Sequence, residues 1–244
     1  MLTDPLVFNS RKGLAMKTYE NNLYSISSKY FDEKKNAEKR TLLLYFFVGL
    51  GLFCSYIDQV MIGIVFLVVA IWFVFEKKVT DTEYDAAVQL YLFDIKQIAL
   101  EKLGIDEDEV KEVTPIVFGG YNFDKGTISK LGKDKIWRTN KYEVVCLFFS
   151  KNEVHCYSYE FFTTNEKDRK YRENTEVYFY TDIVSVSTSL TTTKLENGVS
   201  VEHEFFKLTT KGGTALEVSL TDVEGAKNSI NAMRHLLREK KSND

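Results

Sequence analysis

From Thr41 to Phe75 the chain carries no lysine, arginine or glutamate, and a single aspartate, Asp58, divides the stretch in two. Residues such as Phe46, Val48, Leu50 and Leu52 leave no polar face on the first half, whereas a helix packed on a globular core keeps one polar side. The pattern predicts two helices, 41–57 and 60–75, turning at Asp58-Gln59 and crossing a bilayer as a hairpin. At ~1.5 Å per residue each would span about 25 Å, slightly less than the ~30 Å hydrocarbon core. Tyr56 and Trp72 suit interfacial anchoring, and flanking lysines can snorkel. Gly49, Gly51 and Gly63 would let helices or neighbouring copies approach closely, so a homo-oligomer stays open. The apolar stretch begins only after 40 residues and a second follows it directly, unlike a cleaved signal peptide.

Flanking charge sets the expected orientation. Lys34, Lys35, Lys39 and Arg40 precede the hairpin, Lys77 and Lys78 follow it, and the turn holds only Asp58. The positive-inside rule then places both termini in the cytoplasm, as a multi-pass protein of the cell inner membrane.

The flanking regions have a different character. In residues 1–40, Tyr19, Leu23, Ile26 and Tyr30 form a helical stripe, fit to lie on a bilayer or to pack on the protein itself. Thr80 and Glu83 have capping-box spacing and open an amphipathic connector, residues 80–113, with Tyr84, Val88, Tyr91, Ile95 and Ile98 on one face. Gly104 marks its end. From Pro115 the period becomes strand-like. Expected strands are 116–123, 142–150, 153–162, 175–187, 201–210 and 215–220, with Gly212-Gly213 as a hairpin turn. A last helix, from about Asp222 to Lys240, carries the stripe Val223, Ala226, Ile230, Met233 and Leu237.

The strand 178–186, the hairpin around Lys211-Gly212-Gly213-Thr214 and the closing helix resemble the order found in pleckstrin-homology-like domains, here covering residues 115–241. Bacterial membrane proteins that pair such domains with a transmembrane hairpin are similar. The resemblance is architectural and carries no diagnostic motif. It implies an α+β chain: a transmembrane hairpin plus a cytoplasmic antiparallel β-sandwich or split barrel, capped by the C-terminal helix. It also implies a binding or scaffolding module, with no enzyme class attached.

Chemistry is sparse. Lys125, Lys130, Lys133, Lys135, Trp137, Arg138 and Lys141 form a basic segment between the first two expected strands. In eukaryotic pleckstrin-homology domains the corresponding loop grips phosphoinositides, although the basic-x-arginine arrangement is missing here. The seven residues are candidates for contact with anionic lipid headgroups or a partner, or form a solvated loop. The acidic stretch Asp106 to Glu112 lacks the glycine turn and terminal glutamate of an EF-hand. His155, His203 and His235 are dispersed without metal-ligand spacing. No nucleophile elbow or phosphate loop occurs, so no catalytic residue, metal or cofactor is expected. If Lys151-Asn152 is a tight turn, Cys146 opposes Tyr157, and Cys146 and Cys156 then face opposite sides of the sheet. That favours reduced thiols over a disulfide.

A net charge of −3 suggests no nucleic-acid partner. The leading expectation is a membrane-anchored cytoplasmic module that holds a protein partner or organises a complex at the inner membrane face. The alternatives are an oligomerising membrane subunit or effector, for example in phage defence, and an uncharacterised enzyme.

Overall fold

The structure, a computed structural model, describes residues 5–56, 60–74, 78–110, 113–164 and 172–242. Its helices are α1 (Pro5–Phe31), α2 (Glu33–Tyr56), α3 (Val60–Val74), α4 (Asp81–Tyr91), α5 (Ile95–Leu103) and α6 (Val223–Ser242). The strands are β1 (Ile116–Tyr121), β2 (Ser129–Leu131), β3 (Trp137–Thr139), β4 (Lys141–Phe149), β5 (Glu153–Phe162), β6 (Arg172–Phe179), β7 (Ile183–Lys194), β8 (Ser200–Thr210) and β9 (Gly213–Leu220). They form an antiparallel sheet ordered β1-β4-β5-β6, a small β2-β3 ribbon, and a sheet ordered β7-β8-β9.

At β4 the four-stranded sheet is buried on both faces, which explains why that strand reads as a nearly unbroken apolar run. On one face Tyr142, Val144, Cys146 and Phe148 share a core with Leu23 and Tyr30 of α1 and with α4 and α5. On the other, Val145, Leu147, Phe149 and Cys156 share a core with β7–β9 and with Ala226, Ile230, Met233 and Leu237 of α6. Cys146 does pair with Tyr157 in the β4–β5 register, so the two thiols face different cores, as the turn at Lys151-Asn152 required. The sheets meet along β1 and β9, where the Thr221 N–H donates to the Gly119 carbonyl at 3.0 Å. Gly120 permits that approach, since a Cβ there would stand 2.6 Å from the Ser219 backbone.

Local signals explain the helical layer. Thr80 and Glu83 form the expected capping box, with Glu83 N–H donating to Thr80 Oγ1 at 3.2 Å and Thr80 N–H to Glu83 Oε2 at 2.9 Å. Gly104 ends α5 with φ of +67°. The connector is two helices rather than one, broken between Leu92 and Asp94 so that Leu92 and Ile95 both reach the core. The stripe on α1 packs on the protein itself, with Tyr30 and Tyr84 stacked at 4.6 Å. The expected long strand 175–187 divides at Tyr180–Asp182, and the β2-β3 ribbon falls where only a basic loop was expected. The acidic stretch contributes a 3-10 turn, Glu107–Val110, while Lys111 and Glu112 lie outside the described residues.

The membrane expectation needs correction. Among the described residues no helix is long and apolar enough to cross a membrane. The α3 helix has 15 residues, about 22 Å at ~1.5 Å per residue against the ~30 Å required. The apolar part of α2 begins only at Thr41 and ends at Tyr56, so it is similarly short. The transmembrane hairpin, the integral membrane partner, the multi-pass inner-membrane location and the membrane-anchored role therefore do not stand. Ile57, Asp58, Gln59, Phe75 and Lys77 lie outside the described residues, as do the side chains of Lys34, Lys35, Lys39, Arg40, Cys54 and Trp72. The α2 and α3 helices pack together, and Leu42, Tyr45, Phe46, Leu52 and Met61 on them stay exposed.

The pleckstrin-homology-like split barrel is corrected too. Among the described residues none of the sheets closes into a barrel. One face of the larger sheet is covered by α1, α4 and α5 as a second core.

Candidate functional site: a carboxylate cleft between the sheets

The basic segment is largely spent inside the molecule. Arg138, on β3, is 2 % exposed and fills a gap between α4 and the turn of the β2-β3 ribbon. Its Nε and Nη2 donate to the two oxygens of Asp85 at 2.7 and 2.6 Å, and Nη1 and Nη2 to those of Asp134 at 2.9 and 2.6 Å. This double fork holds the Asp134 carboxyl down at about 2. Gly132 makes room for it, because a Cβ would meet Arg138 Nη1 at 2.4 Å. Lys130 donates to the Tyr30 carbonyl at 3.1 Å and lies 3.9 Å above the Tyr30 ring. The Lys133 backbone N–H donates to Asp81, whose other oxygen accepts from Tyr30. Trp137 is half-buried against the helical core. Lys125, Lys133 and Lys135 are the members left exposed, on two separate turns.

Lys141 leads to a different site. It opens β4, and its ammonium donates to Asp124 at 2.8 Å and pairs with Glu160 at 3.0 Å. Burial opposes the charged ammonium, but the two carboxylates outweigh burial and raise its pKa above the ordinary lysine value.

The strand register then builds a polar ladder across the larger sheet. Gly120, Glu143, Glu160 and Arg172 stand opposite one another on β1, β4, β5 and β6. This row shares its face with Val145 and Leu147, so it continues the inter-sheet core as that core opens to solvent. Like charges directly opposed in a sheet repel, and here Asn122 bridges them, donating to Glu143 at 3.5 Å and to Glu160 at 3.3 Å. The Ser219 N–H of β9 donates to the other Glu143 oxygen. Burial pushes the Glu143 carboxyl up to about 7, reinforced by Glu160 and Asp124 and opposed by Ser219 and Lys141.

The ladder floors a cleft of about 540 Å³, walled by Phe123, His203, Phe205 and Glu217. A smaller space of about 250 Å³ continues it past Ser158, Asn174 and Glu176. The larger volume lies within the ~300–1,000 Å³ of small-ligand sites. Burial lowers the pKa of His203, whose ring packs between Phe123 and Phe205 at centroid distances of 4.8 and 4.6 Å.

Of the seven expected site residues, only Lys125 and Lys141 reach this cleft. Sequence reasoning missed Glu143 and Glu160. A signal was present, since each interrupts a strand otherwise dense in apolar and aromatic residues, and a charge there is more informative than one in a loop. No group of His, Cys, Asp and Glu among the described residues has the geometry to hold a metal ion. The chain matches no known protein family, curated protein or solved structure.

Proposed function

We propose that the chain is a binding module, and that its inter-sheet cleft receives a cationic group, the lysine or arginine side chain of a protein partner. The observation that carries this reading is the opposed Glu143–Glu160 pair on the cleft floor. Lys141 already serves Asp124 and Glu160, and Arg172, Lys125 and Lys194 also line the cleft, while Glu143 accepts from Asn122 and the Ser219 N–H. An incoming ammonium or guanidinium would pair with the Glu143 carboxylate, with the Phe123 and Phe205 rings beside it. Binding fits a cleft whose polar atoms are engaged with one another, the Thr193 hydroxyl facing His203 Nε2 at 2.8 Å.

The test is calorimetric titration of the full chain with a short peptide carrying one lysine, and with its Nε-acetylated form. Binding should need the free ammonium and be lost in Glu143→Gln/Glu160→Gln. It should tighten about tenfold from pH 6 to pH 8, as the ionised fraction of Glu143 rises from about a tenth to about nine tenths around its value of about 7. Equal binding of the acetylated peptide would overturn the reading.

A further inference from the structure

The two larger sheets meet along β1 and β9, so their outer strands, β6 and β7, are the edges left for another chain. An edge strand presents a row of unpaired N–H and C=O groups, and proteins blunt it with charge, a bulge or a covering helix. Along β6 stand Arg172, Glu173 and Glu176. The β7 edge is blunted only at its start. A bulge interrupts its register between Ile183 and Ser185, and α6 reaches over to it: Arg234 Nε donates to the Val186 carbonyl at 2.9 Å, and the Lys241 ammonium to that of Ile183. From Ser187 to Thr193 the strand has no charged residue, glycine or proline.

Sheet geometry decides which backbone groups are open. Successive residues of an antiparallel strand point their N–H and C=O alternately toward one neighbour and away from it. The Leu195 N–H donates to the Val199 carbonyl at 2.8 Å across the β7–β8 turn, which sets the odd-numbered residues of β7 toward β8. Val186 accepts from α6 on the outer side, in agreement. The register is unbroken from Ser185 to Lys194, so Thr188, Leu190 and Thr192 point both backbone groups outward, without a backbone partner among the described residues. The Leu190 side chain is 64 % exposed.

We propose that this edge pairs with the same edge of a second copy, antiparallel about a two-fold axis through Leu190, so that the β7-β8-β9 sheets of two chains become one. About that axis Thr188 stands opposite Thr192 and Ser189 opposite Thr191, and Leu190 meets the Leu190 of its copy. Each outward residue exchanges its N–H and C=O with one of the other chain. Opposed threonines are favourable partners, and no like charges face each other along the run. Lys194 falls opposite Val186 at the margin, where it is exposed and its side chain turns to solvent. The occupant is a second copy because the run is symmetric about Leu190 and because α6 covers one end only. The two-fold sets the two α6 helices at opposite ends of the joint. It also carries the exposed Glu196 of each β7–β8 turn toward Arg234 and Lys241 of the other chain.

Sedimentation equilibrium of the full chain from about 1 to 200 µM tests the pairing. The native chain should show a reversible monomer–dimer equilibrium. Leu190→Lys sets two ammonium groups against each other at an exposed position and should weaken the dimer by about tenfold or more. Thr192→Pro removes an outward N–H alone and should weaken it as well. Val177→Lys, on the β6 edge, should leave it intact. In a Cys54→Ser background, Leu190→Cys should give an intermolecular disulfide on mild oxidation, because directly opposed Cα atoms stand ~5.5 Å apart, and Val177→Cys should not. A chain monomeric throughout that range, a dimer indifferent to Leu190→Lys, or equal cross-linking through Val177→Cys would each overturn the proposal. So would association that Leu52→Lys on α2 abolishes and Leu190→Lys leaves in place.

Discussion

Replacing Glu143 with glutamine should make the protein more stable at pH 8 than the native chain while leaving the two nearly equal near pH 4. In the folded chain Glu143 keeps its proton up to about 7, against an ordinary value of 4.5. Between those values the folded state holds a proton that the unfolded state has released. Native stability therefore falls as pH rises through this window, and the contribution is complete only below about 4.5. At ~1.4 kcal/mol for each pH step of one, the interval from 4.5 to about 7 sets a ceiling of ~3 kcal/mol. Because Glu143 is partly exposed, about 2 kcal/mol is the more realistic size. Glutamine keeps an oxygen for the Ser219 N–H and has nothing to titrate. Urea unfolding of both full-length chains from pH 4 to pH 8.5 at fixed salt, followed by circular dichroism, reads the difference directly. The stability gap should open in favour of the variant, with its midpoint between pH 5 and 7. A gap that is flat with pH, or that closes as pH rises, would refute the assignment of a carboxyl that the fold keeps protonated.

Two further outcomes follow from the packing. Arg138→Ala should destabilise the chain by about 2–3 kcal/mol, less than the ~3–5 kcal/mol of a fully buried pair, because Asp85 and Asp134 are 38 % and 39 % exposed and can be rehydrated. The variant should also lose part of the acid unfolding transition, since the arginine holds Asp134 well below the usual carboxylate range, a stabilisation present above pH ~4 and lost as pH falls toward about 2. Cys146 and Cys156 should resist thiol reagents at pH 8 in the folded chain and react at once in denaturant, since both are buried and burial pushes the Cys146 thiol up to about 12. Rapid native-state labelling at either position would contradict the two-core arrangement.

Much of the β region was legible because its signals are local. The 153–162 strand, the Thr80 capping box, the Gly104 stop and the α6 stripe each follow from residues a few positions apart, and each is present in the structure. The facing of Cys146 and Cys156 was legible as well, because strand register fixes side-chain direction. Long-range pairings were not. Arg138 looked like one cation in a basic loop, and nothing nearby in sequence announces that Asp85, fifty-three positions away, takes its fork. The same holds for Lys130 against Tyr30. The apolar segments misled because hydropathy measures what a residue avoids without measuring span, and the described helices are too short to cross. The two-sided burial of β4 showed in its continuous apolar run, although the sequence could not say that α1, α4 and α5 would cover one face.

Mapping amide chemical-shift changes in the full chain while a lysine-bearing peptide is added at pH 8 would locate a bound cation residue by residue. Occupancy of the cleft requires the largest changes at Glu143, Glu160, Asn122 and Ser219, suppressed at pH 5.5 where Glu143 holds its proton. Changes confined to Lys133 and Lys135, or none at all, would mean that the carboxylate ladder is structural and takes no partner.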